Sequence, residues 1–314
     1  MKKTFDITAL GEILIDFTLV GMEGKNKLFQ QNPGGAPANV LVAATKLGST
    51  TAFIGKAGTD MHGRFLKRTL VNEGVNADGF LLDKDFFTTL AFVDINEFKE
   101  RSFSFARKPG ADTQLRYNEL SVNAIKESKL LHVGSLSLTD EPVRSTTHYA
   151  INVARENDVL VSYDPNYRAS LWESEDMAKH HMRSITADIM KLSDEETLLL
   201  TDVHDYEEAS DFLLKKGVKI VVVTLGANGC YVCNKEGGVH VPGFKCKAVD
   251  TTGAGDAFWG AFLHKVTENA GLNSTLEELV EYARFANATA SLCVESYGAI
   301  PAMPTIQEVN NRLK

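Results

Sequence analysis

Cysteine is scarce in this chain: Cys230, Cys233, Cys246 and Cys293 are the only four in 314 residues, and a reduced state suits a cytoplasmic protein. Cys230 and Cys233 form a CxxC, a pattern that marks zinc or redox chemistry in some proteins. The neighbouring Ile220-Val221-Val222-Val223-Thr224 and the internal Tyr231-Val232 read as strands, however. Residues three apart on a strand point to opposite faces. With no second CxxC or His pair at ligand spacing, the two read as structural thiols.

An excess of positive charge is missing as well. Lys and Arg number 33 against 41 Asp and Glu, a formal net charge of minus 8, which gives no broad basic field for a nucleic acid or an anionic membrane surface. Any anionic ligand must be held by a local site. No apolar run approaches the roughly 18 to 20 residues of a membrane helix. Met1-Lys2-Lys3-Thr4-Phe5-Asp6 sets an acid inside the first apolar stretch, where a signal peptide would have its apolar region. A cytoplasmic protein without nucleic-acid or membrane partners is expected.

Several catalytic signatures are absent. There is no GxxxxGK[ST], since the Lys of Gly55-Lys56 is followed by Ala57, and no protein-kinase signature set. The eight histidines, His180 and His181 included, form no HExxH. No linker, repeat or low-complexity segment interrupts the chain.

What is present is an ordinary globular composition, 44% hydrophobic and 24% charged, with a sizeable core. Phe5 to Gly11 reads as a buried strand, Ala36 to Leu47 as a helix stopped by Gly48, and Thr51 to Gly55 as a strand. Asp60 caps a helix to Glu73. After residue 128 the rhythm resumes, with strands at Leu130 to Val133, Val159 to Tyr163, Ile189 to Leu192 and Lys219 to Thr224. Helices Val143 to Glu156 and Tyr206 to Lys215 fall between them. Alternation of this kind predicts a mostly parallel, doubly wound α/β sheet with helices on both faces. Glu12 to Val20 and Thr88 to Phe105 break the rhythm. They read as exposed antiparallel strands of a small β-sheet lid, the second with a charged turn at Asn96 to Glu100.

The strongest chemical feature is Val249-Asp250-Thr251-Thr252-Gly253-Ala254-Gly255-Asp256-Ala257-Phe258 at the mouth of a helix running to about Val266. Free N–H groups, the helix dipole and two glycines make an anion hole there. Asp256, on the first turn, is within reach of whatever that hole holds, and a carboxylate beside a phosphate can take the proton of an attacking hydroxyl. The dipole favours its ionised form, a weak base. The plain alternative is a capped helix after a tight turn.

The segment Asp250 to Asp256 resembles the C-terminal signature of the ribokinase-like (PfkB) carbohydrate kinases. The resemblance implies that Asp256 is the catalytic base and that Gly253, Ala254 and Gly255 stabilise the transferring phosphoryl group. Asn32-Pro33-Gly34-Gly35-Ala36-Pro37-Ala38-Asn39-Val40 is similar to the N-terminal signature of the same family. By that match Gly34 and Gly35 admit the sugar close to the backbone and Asn39 bonds its hydroxyls. Asp16, in Gly11-Glu12-Ile13-Leu14-Ile15-Asp16, would accept from two sugar hydroxyls; read alone it is a solvated edge-strand acid.

Further matches run through Phe103 to Asp112, Asp164-Pro165-Asn166-Tyr167-Arg168 with Leu171-Trp172, Val223 to Gly229 and Gly298 to Pro304, and the set most resembles bacterial fructokinases. It implies that Arg107 and Arg168 face the substrate or the transferred phosphate, where a guanidinium fork suits phosphate oxygens; surface salt bridges are the alternative. It also places Thr224, Gly226, Gly229 and Asn287 at the ATP site. Many members carry Asn-x-x-Glu for phosphate and magnesium-bound water. Here Ser193 stands at the Asn position and Glu196 keeps the Glu, so a hydroxyl is expected on the nucleotide side and Glu196 on Mg2+ through water. Asp250 and Thr252, with carbonyls near Gly298, correspond to a monovalent-cation (K+) site in some relatives.

The expectation is therefore one ribokinase-like domain over 1–314, with lid strands from about 12–30 and 86–107, acting as an ATP- and Mg2+-dependent sugar kinase with fructose as acceptor. Closure of the lid would exclude water, and two lids could cover each other's edges in a homodimer. The rivals are a 2-keto-3-deoxygluconate kinase, with Arg107 or Arg168 on the substrate acid, a ribokinase or nucleoside kinase, and a binding module without catalysis. Against the last stands the joint presence of Asp256 and the Gly253-Ala254-Gly255 hole.

Overall fold

The run Ile220-Val221-Val222-Val223 shows no polar alternation because its strand is buried on both faces. A computed structural model, which describes residues 3–95, 101–269 and 271–314, packs Ile220 and Val222 into one hydrophobic core and Val221 and Val223 into another. Thirteen strands are described: β1 (Phe5–Leu10), β2 (Leu14–Glu23), β3 (Asn26–Gly34), β4 (Thr51–Gly58), β5 (Phe80–Asp83), β6 (Leu90–Ile95), β7 (Arg101–Ala106), β8 (Ser128–Gly134), β9 (Leu160–Asp164), β10 (Ile189–Ser193), β11 (Ile220–Thr224), β12 (Cys230–Asn234) and β13 (Gly237–Val241).

Nine of them form the central sheet in the order β13-β12-β11-β10-β9-β8-β1-β4-β5. It is parallel from β11 through to β5, and β12 and β13 add an antiparallel edge. Cys230 and Cys233, on β12, lie in the two opposite cores, and all four thiols are free.

The helices are α1 (Ala36–Lys46), α2 (Met61–Asn72), α3 (Val122–Lys126), α4 (Val143–Glu156), α5 (Glu175–Arg183), α6 (Asp194–Thr201), α7 (Tyr206–Lys215), α8 (Ala254–Glu268), α9 (Leu276–Cys293) and α10 (Ile306–Arg312). α1, α2 and α8 to α10 cover one face of the sheet, and α3 to α7 cover the other. Asp60 caps α2 as its position suggests, accepting from the His62 and Gly63 N–H groups. No helix among the described residues is long and apolar enough to cross a membrane.

The strand order reverses between β1 and β8. From β1 the sheet grows through β4 and β5, and from β8 it grows the other way. In an open α/β sheet such a switch point opens a crevice at the carboxyl ends of the strands.

The lid is a second sheet, ordered β3-β2-β6-β7. Two features differ from the sequence reading. β2 and β3 form one hairpin that continues pairing to Leu14↔Gly34, so the first lid contribution ends at Gly34 rather than near residue 30. The two hairpins join through a parallel β2–β6 pair, not an antiparallel one. The charged turn expected at Asn96 to Glu100 lies outside the described residues.

Candidate active site

Residues that leave the carboxyl ends of β1, β8, β9, β10 and β11 converge with α1, the lid and the start of α8. A cavity of about 230 Å³ is lined by Glu12, Asp16, Gly35, Asn39, Arg168 and Asp256, among others. A second, of about 280 Å³ and more apolar, is lined by Thr224, Gly226, Gly229, Phe244, Phe258 and Asn287. Thr251 and Gly255 line both. The N-terminus of α8 is thus the wall through which the two cavities meet.

Packing explains why the catalytic candidates stand together. A Cβ on Gly260 would lie 2.5 Å from Val40 O and 2.7 Å from Ala43 Cβ, so α8 approaches α1 closely only because residue 260 is glycine. That contact sets Asn39 against Asp256, and Asn39 Nδ2 donates to Asp256 Oδ2 at 2.8 Å. Trp259, on the next turn, is fully buried and donates through Nε1 to Ser162 Oγ at 3.0 Å, which fixes α8 to the sheet. Gly253 begins the helix at φ 77, a left-handed conformation that glycine adopts without strain.

Burial dominates the electrostatics. It pushes Asp256 up to about 6, against the pull of the Asn39 hydrogen bond and of Lys191 and Arg168, and with Asp164 adding to the rise. The dipole of α8 therefore does not make this carboxylate a weak base; desolvation outweighs it. Asp16 is pushed up to about 7, again by burial first, opposed by Arg168 and reinforced by Asp256 and Asp250. Gly34 leaves room for it, because a Cβ there would collide with Asp16 Oδ2. Asn39 Oδ1 and Glu12 Oε2 are buried without a hydrogen-bond partner among the described residues. Two acceptors in that state at one cavity call for a donor.

Arg107 requires a correction. It is buried but does not line the 230 Å³ cavity. Its Nε and Nη2 lie 2.8 Å from Asp112 Oδ2, Nη1 donates to Thr139 Oγ1 at 2.7 Å and Nη2 to Leu136 O at 2.8 Å. A guanidinium taken out of water must find such partners, and these leave it as a brace beneath the lid. Arg168 does reach the cavity.

Ser193 and Glu196 also differ from expectation. Neither lines the two cavities. Ser193 caps α6, its hydroxyl accepting from Glu196 N at 3.3 Å, while Glu196 accepts from Ser193 N at 2.8 Å and Tyr167 N at 2.7 Å. Glu196 thereby ties β10 to the loop that carries Arg168. Asn287 lines the more apolar cavity, but its amide nitrogen donates to Val241 O and Pro242 O. Asp250 accepts from Thr252 N and Oγ1 and from Gly298 N, which joins the start of the signature loop to the C-terminal loop.

The sequence reading assigns no role to Lys191, which lines the 230 Å³ cavity, or to its partner Asp164. Their signal is a lysine inside the apolar run Ile189-Met190-Lys191-Leu192 and an acid ending β9, a pairing in space that spacing does not reveal. Lys191 Nζ lies 2.5 Å from Asp164 Oδ2, and both side chains are buried.

Comparison with known proteins agrees with this geometry. The pfkB family carbohydrate kinase model matches residues 4–306. The chain is 42% identical over 307 residues to fructokinase-2 of Oryza sativa subsp. japonica, covering 96% of this chain and 91% of that one. Among solved structures it is similar to the Xylella fastidiosa fructokinase with bound ATP (TM-score 0.90, 31% identity, 98% of each chain). It is also similar to a double mutant of the Vibrio cholerae O395 fructokinase in its fructose-, ADP- and potassium-bound form (TM-score 0.89, 32% identity, all of each chain). With a crevice at the switch point, a glycine-rich helix mouth shared by two cavities and a carboxylate lining one of them, the chain belongs to the pfkB family of carbohydrate kinases.

Proposed function

We propose that the protein transfers the γ-phosphoryl group of ATP to fructose, giving fructose 6-phosphate. The observation that carries this reading is the meeting of the two cavities at Thr251 and Gly255, with Asp256 on the sugar side. The fructokinases named above support fructose as the acceptor.

Fructose occupies the cavity beneath the lid. Its hydroxyls donate to Asp16 and to Asn39 Oδ1, and Gly34 and Gly35 let the ring approach the backbone; Arg168 closes the side. ATP lies along Thr224, Gly226 and Gly229, and the N–H groups of Gly253 and Gly255 receive the γ-phosphoryl oxygens; the Ala254 N–H donates to Thr251 O at 3.3 Å. The acceptor oxygen attacks the phosphorus as the bond to the β,γ-bridging oxygen breaks, leaving the electron pair on ADP. Asp256 takes the hydroxyl proton. Asn39, bonded to the other carboxylate oxygen, holds its orientation.

Mg2+ fits as an ion carried on the nucleotide: no cluster of three or more metal-ligating side chains stands ready among the described residues, the usual situation for magnesium bound mainly through substrate phosphates. It would supply charge neutralisation at those phosphates. Asp250 and Thr252 are the candidates for K+.

ADP release from magnesium-ATP tests the assignment across fructose, ribose, 2-keto-3-deoxygluconate, tagatose, glucose and adenosine. Fructose is expected to give the highest kcat/KM; a preference for the sugar acid or the nucleoside sinks the fructose reading.

The lid also supports a dimer. Val20, Met22, Leu28, Phe29 and Phe92 are exposed on its sheet, which leaves β3 and β7 as edges. We propose that two copies pair there. Val20→Lys with Leu28→Lys is expected to turn a dimer into a monomer in sedimentation equilibrium, and a monomeric unsubstituted protein overturns the idea.

A further inference from the structure

Two lysines of the central sheet are buried, Lys56 and Lys191, and their surroundings differ. An ammonium has three N–H donors. Lys56 has three partners for them, Gln114 O, the Glu119 carboxylate and Asp83 Oδ2, at 3.1, 2.7 and 3.2 Å. Lys191 has one among the described residues, Asp164. Its other donors face the sugar cavity, which it lines beside Gly255 and Asp256.

The position is unusual for a cation. A Cβ on Gly255 would lie 3.7 Å from Lys191 Nζ, so the ammonium stands at the first turn of α8. A helix N-terminus carries positive charge of its own and repels a cation. The arrangement becomes favourable once an anion lies between the two. The N-terminal end of α8 on one side and an ammonium with two donors to spare on the other then converge on the same oxygens.

We infer that Lys191 is a further catalytic residue, whose ammonium bonds an oxygen of the phosphoryl group in transfer and offsets the charge that builds there while Asp164 holds it in place. The inference rests on the sugar-kinase reading above and deepens it. In the transfer already described no bond to Lys191 forms or breaks; the proton still passes to Asp256 and the electron pair to ADP. Burial opposes the lysine's charge, but Asp164, Glu196 and Asp256 outweigh it and raise its pKa above the ordinary lysine value. Lys191 therefore stays protonated throughout the working pH range. A structural role alone, neutralising Asp164, is the competing account.

The two accounts part in a double-mutant cycle. Asp164→Asn removes the charge that a merely structural Lys191 would serve. Lys191→Met is then placed in the unsubstituted protein and in the Asp164→Asn background. Measured are kcat and KM on the sugar that the unsubstituted protein phosphorylates best, the melting temperature, and calorimetric binding of ADP with and without tetrafluoroaluminate, a mimic of the phosphoryl group in transfer. If Lys191 acts on the phosphoryl group, Lys191→Met lowers kcat by about 100-fold in both backgrounds, the scale of losing one preorganised donor. Binding of ADP alone is unchanged, and the tightening given by tetrafluoroaluminate with sugar present is lost. If Lys191→Met costs nothing once Asp164 is Asn, or the tightening persists, the inference is overturned. Should Lys191→Met alone fail to fold by leaving Asp164 buried and unpaired, the Asp164→Asn background decides. Silence of the unsubstituted protein on fructose counts against the fructose reading alone, because the cycle is run on the best sugar.

Discussion

Asp256→Asn is expected to lower kcat by about 10³-fold, within the range for loss of a positioned general base, while fructose still binds. The amide keeps an oxygen for the Asn39 Nδ2 contact, now 2.8 Å from the carboxylate, so geometry survives and basicity does not. Binding calorimetry with fructose and ADP checks the first part and ADP release the second. The same carboxylate sets the pH dependence. With Asp256 pushed up to about 6 and Asp16 to about 7 by burial, both must lose protons to act, so kcat/KM is expected to fall as pH drops through 7 and then 6. Stability moves the other way. The fold raises the pKa of Asp256 above its unfolded value, so its ionised form destabilises the native state once pH exceeds the unfolded pKa, and most fully above about 6. Asp256→Asn should accordingly melt no lower than the unsubstituted protein at pH 8. A variant that keeps more than a tenth of kcat removes Asp256 as the base.

Much of this site was legible because local rules and chemistry coincide there. Gly253-Ala254-Gly255-Asp256 reads both as a helix start and as a candidate anion hole, and the structure sets it where two cavities meet. The parallel sheet was legible because Ile220 to Val223 carries no polar alternation. What escaped depends on partners distant in sequence. Arg107 has the right chemistry for a phosphate, but Asp112, Thr139 and Leu136 consume its donors. Lys191 is, in the sequence, one lysine inside an apolar strand, and only the fold brings it to Asp164, 27 positions away. Gly260 carries no chemistry, yet its missing Cβ lets α8 reach α1 and puts Asn39 on Asp256. The parallel join of the two lid hairpins rests on the Ile15↔Leu90 to Thr18↔Val93 pairing, which neither segment specifies by itself.

Asp16→Ala is expected to give the opposite kinetic pattern to Asp256→Asn. Asp16 sits on β2 opposite Asn32 and beside Ala91 of β6, a lid position across the cavity lining from Asp256, and in the proposed reaction the hydroxyls bonded there are not the one that attacks. Such a contact holds substrate and transition state alike, so its loss raises KM and leaves kcat nearly unchanged. Hydrogen bonds to a charged group contribute about 1.5–3 kcal/mol each, so losing two should raise the fructose KM by roughly 10²-fold or more. The rise should be larger at pH 8 than at pH 6, because with its pKa near 7 the native carboxylate is mostly protonated at the lower pH and already a poor acceptor. ADP affinity should not move, since Asp16 lines only the sugar side. Removing a carboxylate whose ionisation burial disfavours should also raise the melting temperature at pH 8. A fructose KM within a few-fold of the unsubstituted protein would return Asp16 to the role of a lid acid and shift sugar recognition to Asn39 and Arg168. A fall in kcat as large as the rise in KM would instead mean that the lid contact tightens during transfer, and that the β2–β6 sheet takes part in the chemical step as well as in binding.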